Sequence, residues 1–368
     1  MSFSDTDYAW MSQALHLAEH GIYTTSPNPR VGCVIVKHGR IVGEGWHECA
    51  GGPHAEVHAL REAGTLARDA EAYITLEPCS HYGRTPPCTQ ALIEAGVRRV
   101  VIAMQDPNPR VNGEGIRQLR AAGIDVKSGL LSTEAQALNI GFVTRMQLGR
   151  PWVRMKIAAS LDGKTALRNG QSQWITGKAA RRDGHQWRAR SCAILTGIGS
   201  ILADDAQLNV RHVETTRQPV RVVLDTCLGL PLQAKILTGE GGQTWIFTTT
   251  TDPRKIQSLQ QAGASVMVVP EQAGKIDLHA VMTSLAELDI NELLVEAGAT
   301  LNGALVASGL VDEMILYLAP MLLGDLARGM LALGELTSLS DRIELQNLDW
   351  RQVGKDMRLM AMLVKKQV

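Results

Sequence analysis

Apolar positions along the chain switch between a helical and a strand period. From Asp7 to His20 they recur with Tyr8, Met11, Leu15 and Ala18 on one side, which predicts an amphipathic helix. Ser26-Pro27-Asn28-Pro29 ends it, since proline lacks the N–H that a helix needs. Two apolar runs, Val31 to Val36 and Ile41 to Trp46, flank His38-Gly39-Arg40 and read as a β-hairpin. A helix over Ala55 to Leu66, a strand over Ala72 to Leu76, a helix opening at Cys88 and a strand over Arg99 to Met104 follow. Pro86-Pro87 suits the start of the Cys88 helix, where proline is tolerated. Segments at Gly115 to Ala122, Ile124 to Val126 and Ser132 to Arg145 close this region. A hairpin followed by β-α alternation predicts a layered α/β sheet.

The pattern restarts after Gly149-Arg150-Pro151, which predicts a boundary between a first domain, 1–149, and a second, 150–368. Strands are expected at Trp152 to Ala159, Ala193 to Thr196, Val220 to Leu224, Trp245 to Thr248, Ser265 to Val269, Glu292 to Val295, Glu313 to Leu318 and Met357 to Leu363. Helices are expected at Ala179 to Arg190, Pro253 to Gln261, Leu278 to Glu287 and Leu301 to Ala307. That alternation predicts a mostly parallel sheet covered on both faces.

Composition narrows the function. The 368 residues carry no formal net charge and only 4% aromatics, which disfavours a polynucleotide partner, normally met by basic excess and stacking rings. No secretory signal and no apolar run of membrane-spanning length is read. Six cysteines, with two claimed by a metal as argued next, fit a reducing cytoplasm.

The chemistry concentrates in His54-Ala55-Glu56, Pro78-Cys79 and Cys88. One imidazole and two thiolates can hold zinc and leave a fourth position for water. Zinc lowers the pKa of that water from ~15.7 to about 7. Glu56 stands where a carboxylate can shuttle protons without binding metal, the arrangement of zinc nucleobase deaminases. A closed structural site needs a fourth protein ligand, and the chain has no Cys-x-x-Cys pair. His58, four residues after His54, is the alternative ligand, but the cysteine pair already completes a three-ligand set. The helix start at Cys88 favours a thiolate. Eight residues separate the cysteines where two are usual. This loop carries His81 and Arg84, which can meet an anionic group. In the second domain, Gly197-Ile198-Gly199 is a tight turn or a fragment of a cofactor loop. Glu296 to Gly303 joins a strand to a helix and suits a pyrophosphate at the helix N-terminus.

The run Leu76 to Cys88, with Glu77-Pro78-Cys79 and His81-Tyr82-Gly83-Arg84-Thr85 inside it, resembles the bifunctional deaminase–reductases of riboflavin biosynthesis. Pro27-Asn28-Pro29-Arg30-Val31-Gly32, Met155 to Gly163, Ser172-Gln173-Trp174-Ile175-Thr176 and Leu202-Ala203-Asp204-Asp205 extend the likeness to both halves. The resemblance implies a cytidine-deaminase-like first domain and a dihydrofolate-reductase-like second domain that uses NADPH. It implies that zinc serves deamination of a phosphoribosylated diaminopyrimidine, and that NADPH then reduces the ribosyl group to ribityl. It places Asn28 and His47 on the pyrimidine. Ala158, Trp174, Ser200, Asp204 and Thr226 fall at cofactor positions, with the pyrophosphate loop at Gly298, Ala299, Thr300, Leu301, Asn302, Gly303 and Ala304. Ser172, Arg188, Leu208, Arg211 and Glu296 fall at substrate positions, with Lys156 near the reacting sugar. Guanidinium groups grip phosphate bidentately, which suits Arg188 and Arg211. Gly229 stands where family members often carry arginine for the cofactor's 2′-phosphate. The expected partners are small-molecule phosphoribosyl pyrimidines, with no nucleic acid or membrane, in a homo-oligomer.

Overall fold

The computed structural model describes residues 3–80, 86–109 and 111–364. Two compact units, Met1–Gly149 and Arg150–Val368, make up the chain.

The first unit is a five-stranded sheet built from β1 (Gly32–Lys37), β2 (Arg40–Trp46), β3 (Glu71–Leu76), β4 (Arg99–Met104) and β5 (Asp125–Ser128), in the order β2-β1-β3-β4-β5. β1 runs antiparallel to β2 and β3, whereas β3, β4 and β5 are parallel. Alternate side chains leave a strand on opposite faces, so one set of residues builds each layer. Val34, Tyr73 and Val101 pack with Met11, Ala14 and Leu17 of the helix Asp5–Glu19. Cys33, Ile35, Ile74 and Ile102 pack with Ala55, Ala59 and Ala63 of the helix Ala55–Ala63. Ser4 starts the first helix with a capping box: its hydroxyl accepts the Asp7 N–H, and the Asp7 carboxylate accepts the Ser4 N–H.

Glycine lets the helix Ala55–Ala63 lie close on β2. A Cβ at Gly43 would stand 2.2 Å from the Ala59 carbonyl, and one at Gly45 would stand 2.4 Å from the Ala55 carbonyl. That helix is shorter than its apolar pattern suggests, because Gly64 takes φ +52° and the chain continues as a 3₁₀ turn, Gly64–Ala67. The segment 132–145 also divides, into helices Ser132–Leu138 and Ile140–Leu148. Asn139 at the break is buried, and its side chain binds both the N–H and the carbonyl of Arg30.

The second unit is organised on a nine-stranded sheet. Its strands are β6 (Trp152–Ser160), β8 (Ala193–Gly197), β9 (Val220–Leu224), β10 (Thr244–Thr248), β11 (Ala264–Val268), β14 (Glu292–Val295), β15 (Glu313–Ala319), β17 (Leu345–Val353) and β18 (Asp356–Leu363). Two short pairs complete the numbering: β7 (Lys164–Ala166) with β16 (Arg328–Gly329), and β12 (Glu271–Gln272) with β13 (Lys275–Ile276). The sheet order is β11-β10-β9-β8-β14-β6-β15-β18-β17. All neighbours from β11 to β15 are parallel, and β18 and β17 add an antiparallel ribbon. In β6, Val153, Met155, Ile157 and Ala159 enter one core layer. Lys156 lies on the opposite face, next to Gly184 of the helix Lys178–Arg190. The buried Arg154 on that same face is held by Glu292 and, at 2.6 Å, by Glu313.

β8, β14 and β6 are parallel neighbours at the middle of the sheet, so the loops after them gather at one edge, their carboxyl ends. That edge is where open α/β sheets bind ligands. Edge strand β17 lies outside the sequence expectations, because its residues are exposed along almost the whole strand and show no apolar alternation.

Candidate active sites

In the first unit, three elements converge. His54 is the N-cap of the helix Ala55–Ala63, with extended φ −77° and ψ 162°. Cys79 follows β3, and Cys88 is the first residue of the helix Cys88–Glu94. His54 Nδ1 lies 3.6 Å from Cys79 Sγ and 3.3 Å from Cys88 Sγ, and the three donor atoms all fall within 4.8 Å of one another. A tetrahedral zinc with ordinary bond lengths has an N–S edge of roughly 3.6 Å, so the donors already stand at the corners that zinc requires. The Cys88 thiol and its backbone N–H, at 3.2 Å, both hydrogen-bond Cys79 and hold that thiol down to about 4. Cys79 and burial in turn push the Cys88 thiol up, against the thiolate expected at this helix start, so in the absence of metal the two sulfurs share a proton.

Glu56, in the first turn of the His54 helix, is buried, and burial pushes its carboxyl upward. A raised carboxyl gives and takes protons near neutrality more readily than an exposed one. His58 does not join the ligand cluster, and its Nε2 is buried without a hydrogen-bond partner.

Asn28 and His47 come together beside these groups. Asn28 Nδ2 lies 3.1 Å from His47 Nε2, and His47 Nδ1 lies 3.0 Å from the Pro53 carbonyl. The carbonyl accepts, so the proton sits on Nδ1 and Nε2 takes the amide hydrogen of Asn28. Burial lowers the His47 pKa and keeps the ring neutral. Its ring centroid is 5.4 Å from that of His54. His81 and Arg84 lie outside the described residues. Glu77 shows a positioning role absent from the sequence reading. Its buried carboxylate accepts the backbone N–H groups of Asp106, Gly113 and Ile116 at 3.1, 2.9 and 3.3 Å and ties the 106–116 segment to the end of β3.

In the second unit, Arg188 grips Glu296 with two hydrogen bonds of 2.6 and 2.8 Å, and Lys156 Nζ stands 3.8 Å from the same carboxylate. Burial works against the charge on Glu296, but Arg188 and Lys156 overcome it and hold the carboxyl down to about 2. Burial lowers the Lys156 pKa. Arg211 reaches the cluster through Asn209: Arg188 Nη1 donates to the Asn209 carbonyl at 3.0 Å, and Arg211 Nη1 donates to Asn209 Oδ1 at 2.6 Å. His185, one turn before Arg188, accepts the Arg211 N–H at 3.1 Å, and burial and Arg188 hold it down to about 3. The sequence signal for His185 was its i, i+3 spacing from Arg188 on one helix, which places both on the same face.

The remaining residues are placed unequally. Ala158 lies near the end of β6. Ser200 and Asp204 lie on the helix Ile198–Asp204, which begins where the sequence suggested a tight turn. Thr226 follows β9, and its carbonyl accepts the hydroxyls of Thr248 and Thr249. Gly298 is the N-cap of the helix Ala299–Ala307, with open space where its Cβ would be. Gly298, Ala299 and Thr300 are accessible, whereas Asn302 and Gly303 are buried. A Cβ at Gly303 would meet the Ala332 carbonyl at 2.1 Å, and Asn302 donates to the Ala297 and Met330 carbonyls. Leu301 and Ala304 are half-buried on the same helix. Leu208 is buried in the core with Ile194 and Val223. Ser172 and Trp174 sit between β7 and the helix Lys178–Arg190; the Trp174 ring is exposed, with the Arg181 guanidinium 4.4 Å from its centroid. No helix among the described residues is long and apolar enough to cross a membrane.

Comparison with known proteins agrees in both halves. Residues 4–104 match the cytidine and deoxycytidylate deaminase zinc-binding region, and residues 151–359 match the RibD C-terminal domain. The chain is 49% identical to riboflavin biosynthesis protein RibD of Escherichia coli, covering 96% of this chain and 98% of that one. It is 46% identical to the Haemophilus influenzae protein of the same name, covering 98% of each. Among solved structures, Acinetobacter baumannii RibD superposes with a TM-score of 0.91 at 45% identity, over 98% of this chain and 99% of that one. A Thermotoga maritima diaminohydroxyphosphoribosylaminopyrimidine deaminase/5-amino-6-(5-phosphoribosylamino)uracil reductase does so with 0.84 at 32% identity, over 97% and 98%. With a cytidine-deaminase-like domain before a dihydrofolate-reductase-like one and near full-length identity to these proteins, the chain belongs to the RibD family of bifunctional deaminase–reductases of riboflavin biosynthesis.

Proposed function

We propose a division of labour in which residues 1–149 deaminate a phosphoribosylated diaminopyrimidine and residues 150–368 reduce the ribosyl group of the product. The observation that carries it is the convergence of His54 Nδ1, Cys79 Sγ and Cys88 Sγ beside the buried Glu56. His54, Cys79 and Cys88 would hold zinc, which when bound lowers the pKa of a coordinated water. Glu56 would take a proton from that water and pass it to the ring and the departing amine. The Asn28–His47 pair, locked in one tautomer by Pro53, orients the pyrimidine. His81 and Arg84, from the loop between the cysteines, meet the substrate's anionic group.

In the second domain Arg188 and Arg211 grip the ribosyl phosphate, Lys156 lies near the reacting sugar, and Ser172, Leu208 and Glu296 complete the substrate set. NADPH supplies the hydride, and the protein supplies orientation. Gly298, Ala299, Thr300, Leu301 and Ala304 at the start of the helix would hold its pyrophosphate, with the buried Asn302 and Gly303 shaping that turn, and Ala158, Trp174, Ser200, Asp204 and Thr226 would hold the rest of the dinucleotide. Net neutrality and an aromatic content of only 4% support small-molecule substrates alone. We assign the protein to the cytoplasm as a homo-oligomer.

The test is to incubate the protein with the phosphoribosylated diaminopyrimidine, with and without NADPH. Ammonia should appear in both reactions, and NADPH should be consumed only after ammonia appears. Ammonia from cytidine but none from the phosphoribosyl substrate would overturn the assignment.

A further inference from the structure

Trp174 is the most exposed of the seven tryptophans, with 67% of its surface open. The residues after it are the opposite. Ile175 and Thr176 are buried, and Gly177 is the N-cap of the helix Lys178–Arg190. The Gly177 N–H donates to the buried Asp356 carboxylate at 2.7 Å. A single exposed apolar side chain needs no explanation. An exposed ring on a pinned backbone, itself held in place by another side chain, does.

Arg181 is the side chain that holds it. Its guanidinium carbon lies 4.4 Å from the centroid of the indole, the closest cation–ring contact among the described residues. Its Nη1 donates to the Thr176 carbonyl at 2.6 Å. One planar group therefore covers one face of the ring and ties down the backbone two residues further on. A guanidinium can do both at once because its plane stacks while its edge donates. The other face of the indole is left to solvent. The helix Lys178–Arg190 leads within two residues into β8, so it starts at the carboxyl edge of the sheet, and Arg181 lies in its first turn. The open face of Trp174 thus belongs to the edge that binds ligands in open α/β sheets.

We propose that Arg181 is a positioning residue for the cofactor: it fixes the Trp174 ring as a platform whose open face stacks on one of the two flat rings of NADPH. The proposal rests on the reading that Trp174 contacts the dinucleotide. A loose indole would have to be ordered when NADPH arrives, and that ordering weakens binding; a ring already clamped from behind avoids it. Arg181 itself touches neither the cofactor nor the substrate.

Arg181→Met keeps much of the side chain's length and removes the planar cation. In titrations of the full-length protein followed by the fluorescence of NADPH, Kd should rise roughly 2- to 30-fold, the range of a single cation–π contact. In reduction of supplied intermediate, KM for NADPH should rise by a similar factor, with kcat and KM for the intermediate little changed. Acrylamide quenching of Trp174, read as the difference between each protein and its Trp174→Phe counterpart, should be stronger in Arg181→Met, because both faces of the ring are then open. Arg181→Lys should recover only part of the affinity, since an ammonium restores the charge without the flat contact. A double-variant cycle separates positioning from direct contact. Trp174→Ala should weaken NADPH binding, and adding Arg181→Met to it should weaken binding no further. An additive loss in the double variant would place Arg181 on the cofactor itself and overturn the proposal. Wild-type NADPH binding in Arg181→Met while Trp174→Ala binds weakly would also overturn it and leave Arg181 a structural group. Wild-type binding in Trp174→Ala would instead remove the reading of Trp174 on which the proposal rests.

Discussion

Gly45→Ala tests whether the deaminase site depends on how closely one helix lies on one strand. The added methyl would stand 2.4 Å from the Ala55 carbonyl, 2.7 Å from the Ala59 nitrogen and 2.7 Å from the His58 Cβ. Two of these contacts are main chain, so rotamer changes cannot relieve them. The helix Ala55–Ala63 must retreat by about 1 Å to restore ordinary contact, which begins at about 3.4 Å. His54 and Glu56 ride on that helix, whereas Cys79 and Cys88 belong to other elements. The retreat therefore widens the N–S edges and shifts Glu56 relative to the reacting carbon. Overpacking of this kind costs typically ~1–3 kcal/mol of stability, which a domain of this size survives. A displacement near 1 Å costs on the order of 10²-fold in rate. The assay is ammonia release from the phosphoribosylated diaminopyrimidine, with zinc measured on the same sample and reduction of supplied intermediate as the internal control. Deamination should fall about 100-fold, zinc should bind more weakly, and reduction should be unaffected. Wild-type deamination with full zinc occupancy in Gly45→Ala would refute the claim that this close approach sets the site.

Four further outcomes are expected. Glu56→Gln should retain about one zinc per chain and lose deamination by ~10²-fold or more, the usual worth of general acid/base catalysis; loss of the metal would make Glu56 a ligand instead. Chelating zinc from the whole protein should stop ammonia release and spare reduction of supplied intermediate, and a fragment from Arg150 to Val368 should still bind NADPH. Glu296 has a folded pKa of about 2 against 4.5 unperturbed, so its ionised form stabilises the second domain above pH 4.5, and that contribution disappears as the pH falls toward 2. Denaturant melts of wild type and Glu296→Gln should differ at pH 6 and converge near pH 2; a gap that persists at pH 2 would assign the difference to packing.

The zinc ligands and Glu56 were legible in the sequence because their spacing is set by covalent connectivity. His54 and Glu56 share one helical turn, and Cys88 opens the helix Cys88–Glu94 whichever way the rest of the chain packs. Strands such as Val220–Leu224 and Glu292–Val295 were equally legible, since burial on both faces leaves a run that is apolar except at Arg221 and Glu292. Asn28 and His47 were singled out by resemblance, but only the fold shows that one hydrogen-bonds the other and that Pro53 fixes the tautomer. Long-range proximity decided the rest. Gly43 and Gly45 look like ordinary hairpin glycines until a helix lies against them. Asn139 gave no sign of splitting a helix, because its partner Arg30 is more than a hundred residues away. Edge strand β17 has no burial pattern to read, since backbone pairing with β18 holds it and its side chains face solvent. Asn302 and Gly303 read as cofactor loop, and only the fold shows that the 330–332 segment packs against them. Arg221 looked like one more polar residue at a strand start. Only the tertiary structure removes its water and leaves its Nε and Nη1 without an acceptor, because desolvation is a property of everything packed around a group and not of the residues beside it in the chain.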